Sequence, residues 1–183
     1  MDSKELKVPK ERLAVLIGKE GEIKKKIESL GHVKLDVNSK TGDVMISGED
    51  SLDVYITKDV VKAIARGFSP KIALKLFKEG YMFDLIDIRD YVGNSKNALE
   101  RIRGRVIGSE GKARRYLEHV TETNISVFHK TVAIIGEVEN VTIARRAIAL
   151  LLGGSPHGNV YRWLERKKQE MRKRQFEEEH GIL

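Results

Sequence analysis

Cysteine is absent from this 183-residue chain. Disulfides, thiolate metal sites and cysteine nucleophiles are excluded together. The chain also lacks any run of about 18 apolar residues, and its opening, MDSKELKVPK, has no apolar stretch of the kind that targets a chain for secretion. Neither a membrane span nor secretion is expected, and the expected location is cytoplasmic. Histidine is sparse, and His32, His119, His129, His157 and His180 show no metal-ligand spacing, so no metal and no cofactor is expected. What the chain does have is 40% hydrophobic residues, enough for real cores, and 33% charged residues with a net charge of +7. A basic balance favours a polyanionic partner without separating nucleic acid from an acidic protein, so the distribution of charge has to decide.

The organising feature is a duplication. With Gly21 set on Gly111, Ile23, Ile27 and Leu30 fall on Ala113, Leu117 and Val120, the spacing of one buried helix face. Leu35 and Val37 then fall on Ile125 and Val127, an alternation that predicts a half-buried strand. After a turn that differs between the copies (NSKTGD against FHKT), Val44, Ile46 and Gly48 match Val132, Ile134 and Gly136, which completes a hairpin. A helix follows each hairpin, with Val60, Val61, Ile64, Ala65 and Phe68 set against Ile143, Ala144, Ala147, Ile148 and Leu151. Both helices run into a breaker, GFSP at 67–70 and GGSP at 153–156. A strand candidate precedes each copy, ELKV at 5–8 and MFDLIDI at 82–88, then a helix, short after Pro9 and longer from Ser95 to Val106.

The expected fold class is α+β, with each unit a three-stranded antiparallel sheet packed with three helices. The expected boundaries are 1–70 for the first domain, 71–80 for a helical connector, 81–156 for the second domain and 157–183 for a basic C-terminal helix and tail. That last helix is apolar at Val160, Leu164 and Met171, and its acids at 177–179 are expected to fray into solvent.

Both copies write Ile-Gly-x-x-Gly before a basic helix: Gly18-Lys19-Glu20-Gly21 and Gly108-Ser109-Glu110-Gly111. A glycine pair between helices can be no more than a tight turn. Here the loop delivers the chain to a helix N-terminus, where unpaired N–H groups favour phosphate and a missing side chain admits a sugar-phosphate backbone. Rival glycine motifs fail on spacing, since Val106 stands where a Walker loop needs glycine and Lys112 is followed by Ala113.

The order of elements around this loop resembles the type I KH domain, which clamps about four nucleotides of single strand. The resemblance implies two tandem type I KH domains whose bases lie on an apolar groove. Its lining would come from Ile17, Ile23 and Val37 in the first unit and from Ile107, Ala113, Ile125 and Val127 in the second. The second loop has the more pointed charge, with Arg101, Arg103, Arg105, Lys112, Arg114 and Arg115 around it, and is the expected main RNA site. Gly108, Ser109, Gly111 and Lys130 complete that set, with Phe128 and His129 as candidates for stacking. The secondary set is Gly18, Lys19, Gly21, Lys24 and Lys25, in a unit whose lysine run Lys24–Lys26 fans around its helix. Glu20 and Glu110 run against a simple phosphate clamp, and each is expected either to repel ligand or to point to solvent.

The run RIRGRVIGSEGKARRYL, with KTVAIIG and the exit PHGNVY, resembles the partner of Nob one family of pre-ribosomal KH proteins, in its compact archaeal form. That resemblance implies a small-subunit assembly factor that binds the 3′ end of small-subunit rRNA. It implies a Nob-type endonuclease as partner and, in archaea, the alpha subunit of translation initiation factor two. The alternative is a protein-interaction scaffold resting on the amphipathic helix around Trp163 and Leu164. A ribonuclease is disfavoured because no paired acid and histidine recur at catalytic spacing, and no enzyme is expected. If lysine and arginine make the contacts, single-stranded RNA affinity falls linearly on a log–log plot against salt, and a flat titration would exclude a phosphate-dominated site.

Overall fold

The computed structural model describes residues 2–181. These form two compact units, one running to Phe83 and the other from Asp84, a division that falls within one strand.

In the first unit, β1 (Asp2–Lys7) and β2 (Val33–Val37) flank β3 (Asp43–Gly48), both antiparallel to it. The registers set Leu6 opposite Val44 and Leu35 opposite Ile46. Alternation then sends Leu35, Val44 and Ile46 to one buried face. Against that face pack α1 (Lys10–Ile17), α2 (Glu22–Gly31) and α3 (Ser51–Ala65), which contribute Leu16, Ile27, Val54 and Ile64 to the core. The Asp50 side chain starts α3 by accepting the Leu52 N–H at 2.7 Å. A short α4 (Pro70–Ala73) and a single 3-10 turn over Leu74–Phe77 then pack back on α3.

The second unit repeats the plan. Its sheet runs in the order β4 (Tyr81–Asp87), β6 (Thr131–Glu137), β5 (Asn124–Phe128), antiparallel throughout, with Ile125 opposite Ile134. A one-turn α5 (Arg89–Val92) leads to α6 (Lys96–Ile107), then α7 (Lys112–Thr121) and α8 (Val138–Leu152). The unit ends in α9 (His157–Glu179), 23 residues long and packed on both α7 and α8.

Four expectations need correction. The helix pairing that set Val60 on Ile143 is wrong by one turn: α3 and α8 are both 15 residues long and begin at Ser51 and Val138, which places Val60 on Ala147. A helical apolar pattern nearly repeats after four residues, so a slip of one turn is invisible in the sequence. Leu30 is 46% exposed whereas its counterpart Val120 is 8% exposed, so the shared face is closed in one unit only. The acids at 177–179 do not fray, because α9 continues through them and Lys173 pairs with Glu177 at 3.7 Å. Nor is the side of α9 around Trp163 and Leu164 free for a partner. Val160 and Leu164 are buried, and Arg146 lies over the Trp163 ring.

One interaction recurs from different sequence positions. Arg12 on α1 donates through Nε to the Ile64 carbonyl at 2.8 Å and through Nη2 to the Phe68 carbonyl at 2.7 Å. Arg105 on α6 does the same to Leu151, at 3.1 Å, and to Ser155. Ile64 and Leu151 hold the same place in their helices, so the two arginines clasp equivalent carbonyls. Arg105 therefore leaves the expected RNA-contact set, since its guanidinium is held by the fold. A buried carbonyl that loses a charged donor costs about 1–3 kcal/mol. Accordingly, Arg105→Met is expected to lower the thermal midpoint by several degrees in a calorimetric scan, and Arg115→Met to leave it unmoved; equal effects would remove the clasp.

Candidate nucleic-acid interface

Both Gly-x-x-Gly loops fold as a single 3-10 turn between helices, Lys19–Gly21 and Ser109–Gly111. Their backbones coincide. Gly18 sits at φ 73°, ψ 176° and Gly108 at φ 74°, ψ 175°; Gly21 at φ 76°, ψ 15° and Gly111 at φ 76°, ψ 13°. All four lie in the left-handed half of the map that glycine occupies without penalty.

The two glycines of each pair do different work. A Cβ on Gly108 would stand 2.6 Å from the Ala113 Cβ and 2.7 Å from its nitrogen, and one on Gly18 would stand 2.5 Å from Ile23 Cγ1. The first glycine is thus required for the next helix to start where it does. A Cβ on Gly21 would meet nothing closer than Lys25 Cε at 3.9 Å, and on Gly111 nothing closer than the mobile end of Arg115 at 3.2 Å. The second glycine leaves open space at a helix N-terminus, where a phosphate would approach.

The acid inside each loop also adopts positive φ, 53° at Glu20 and 52° at Glu110. Both are exposed, and Glu110 Oε2 sits 3.9 Å from the Lys112 ammonium. Of the two expectations for this acid, the geometry selects a side chain turned to solvent.

Around the second loop, Arg101, Ser109, Lys112 and Arg115 are exposed, and Arg103 and Arg114 are half-buried. The Nε atoms of Arg103 and Arg114 are buried without a hydrogen-bond acceptor, Arg114 Nε lying 3.8 Å from Glu118 Oε2. Glu118 is tied down in turn, since its Oε1 accepts the Ile125 N–H at 2.8 Å. Glu28 repeats this in the first unit, accepting from Leu35 N–H at 2.7 Å with Lys24 at 3.9 Å. Lys25 there reaches back to the Glu20 carbonyl at 3.4 Å, and Lys19 is exposed.

The apolar lining is narrower than expected. Ile107 and Val127 are half-buried beside the loop, as are Ile17, Ile23 and Val37 in the first unit. Ile125 is 2% exposed and Ala113 is buried, so both belong to the core rather than to an open groove. At the variable turn Lys130 is exposed while its carbonyl accepts the Ile88 N–H at 2.8 Å. Phe128 is half-buried with the His129 ring edge-on at 4.2 Å.

What the sequence reading missed is the brace behind the loop. Tyr116 on α7 donates to Glu165 Oε1 at 2.8 Å and packs on the Tyr161 ring at 4.1 Å, both from α9. His157 Nε2 lies 2.7 Å from the Arg105 carbonyl, near the end of α6. The only cue was the alternation of Tyr161 and Glu165 one turn apart, which no local rule links to Tyr116. Burial first, then the bond to Glu165, pushes the Tyr116 hydroxyl from 10.0 up to about 12. The neutral form is favoured in the fold, so its stabilisation is complete below pH 10 and is lost as pH rises through about 12. An alkaline titration of tyrosinate absorbance is expected to show one group ionising near pH 12 that Tyr116→Phe deletes; an unchanged titration in the variant would assign it elsewhere.

Residues 82–169 match the family model of a eukaryotic-type KH domain, KH-domain type I. The chain is 48% identical over 176 residues to a KH domain-containing protein of Methanocaldococcus jannaschii, spanning 94% of this chain and 77% of that one. It is 32% identical to the RNA-binding protein pno1 of Dictyostelium discoideum over 71% of its own length, and spans 57% of that relative. Among solved structures it is similar to a chain in the a/eIF2alpha–aDim2p–rRNA complex of Pyrococcus horikoshii. There the TM-score is 0.85 at 44% identity, over 92% of this chain and 95% of that one.

Proposed function

The chain belongs to the PNO1/Dim2 family of archaeal-type pre-ribosomal KH proteins, and from that membership we propose that it is a non-catalytic, single-stranded-RNA-binding factor in small-subunit assembly. The observation that carries this reading is the second loop. Its first glycine seats α7, its second leaves a helix N-terminus open, and cations outnumber acids around it. The ligand is the 3′-end region of small-subunit rRNA. Gly111, Ser109, Lys112, Arg115 and Arg103 contact the backbone, and Ile107 and Val127 floor the groove, with Lys130 at its far rim.

The first unit is read as a second type I KH domain. Its loop repeats the dihedral angles of the other, and Gly18, Lys19, Gly21, Lys24 and Lys25 make a weaker secondary contact. Its lysines sit among Glu20, Glu22 and Glu28, which lowers its field. Partners on this reading are a Nob-type endonuclease and the alpha subunit of translation initiation factor two, in the cytoplasm. The relatives named pno1 and aDim2p, the latter in a complex with rRNA, support the assignment.

Substitution at the first glycine would test folding, because a side chain on Gly108 collides with Ala113. Gly111→Asp is the informative variant. It places a carboxylate in the open space, and aspartate tolerates the left-handed conformation better than most residues. Affinity for an rRNA 3′-end oligonucleotide is expected to fall by about tenfold or more with the thermal midpoint nearly retained. Unchanged affinity would place the RNA elsewhere.

A further inference from the structure

The two units treat the same face differently. In the second, α9 lies against α7 and α8, covering Val120 and lining a groove with Ile143, Leu164 and Met171. In the first, among the described residues, the corresponding ground is met by the short α4 and the 3-10 turn Leu74–Phe77, whose Phe77 ring fills the space beside Gly31. Beyond that turn the face is bare. Leu30 stands in the place of Val120, Ile56 in that of Ile143, and Leu52 in that of Glu139, which pairs with Arg174 of α9 at 3.4 Å. Leu52 is 61% exposed and its neighbour Tyr55, one turn on, 56% exposed. Leu30 closes the patch from α2, held near α3 where His32 Nδ1 meets Asp53 Oδ2 at 3.4 Å.

We infer that this face of the first unit, built on Leu30, Leu52, Tyr55 and Ile56, is a docking site for an amphipathic helix of a partner protein. The second unit supplies the precedent, because on the equivalent ground the chain seats a helix of its own. Charge sets the partner's chemistry. Glu49, Asp50 and Asp53 rim the apolar residues at the start of α3. In the second unit Glu122, Glu137 and Glu139 line one groove with Lys168, Arg172 and Arg174 of α9, and Glu139 pairs with Arg174. The occupant is therefore a helix with an apolar stripe at i, i+3, i+4 and i+7 and lysine or arginine beside it. RNA does not fit, since the rim is acidic and three of the four side chains at the centre are aliphatic.

The site is read out with a photoreactive benzoylphenylalanine at Leu52 of the full chain, expressed in its native host. The same probe at Glu139 serves as reference. At Glu139 it is expected to capture the chain's own α9. At Leu52 it is expected to capture one protein, through a segment with the stripe and charge just described. A synthetic peptide of that segment should bind the pure chain and lose about tenfold or more in affinity to Leu30→Asp with Leu52→Asp. These positions are exposed, so the variant folds, and an unchanged circular dichroism spectrum and thermal midpoint would verify that. Crosslinks at Leu52 to RNA, to a second copy or to the chain itself would overturn the proposal. So would no crosslink, or peptide affinity indifferent to the double variant. None of these outcomes depends on the RNA reading.

Discussion

A single close approach sets the geometry of each unit. The first glycine of the loop lies so near the residue five places on that no side chain fits between them. This lets α2 and α7 begin immediately after α1 and α6 with their N–H groups turned outward. The glycine pair is thus asymmetric in purpose, one member spent on packing and the other on leaving room. The open nitrogens at the start of α2 and α7 are placed by that contact. The glutamate hydrogen bonds to Leu35 and Ile125 then fix each helix to the next strand.

Much of this was legible in the residues. Period-two alternation found the hairpins, and apolar spacing with the glycine and proline breakers found the helices around them. Duplication made each reading twice as secure, because an error in one copy had to recur in the other. The failures have physical causes. The α3 and α8 alignment slipped because a helix turned by four residues presents almost the same stripe. Arg105 looked like a phosphate ligand because charge near a glycine loop is visible in sequence. Its capture by carbonyls about 50 positions away is a tertiary fact. Ile125 was set in the groove lining by the resemblance to the KH fold, which does not say how far each side chain sinks into the core.

The contrast between the copies shows how one framework takes on separate tasks. In the second unit a long helix braces α7 through Tyr116, Tyr161 and Glu165, so the helix whose N-terminus stands open is backed from behind. In the first, the brace shrinks to one turn and apolar side chains stand in its place. Loop geometry is the same in both; what differs is the ground behind it and the balance of charge around it.

The arginine clasp has a further bearing on how such a chain could arise. Arg12 lies near the start of its unit and Phe68 near the end, and the clasp brings them within hydrogen-bonding distance; Arg105 and Ser155 are joined likewise. Each clasp therefore closes a stretch of chain, 12–68 in the first unit and 105–155 in the second, that holds the Gly-x-x-Gly turn and the hairpin. A stretch held shut at both ends by one side chain can be copied as one piece, with its loop and hairpin kept together.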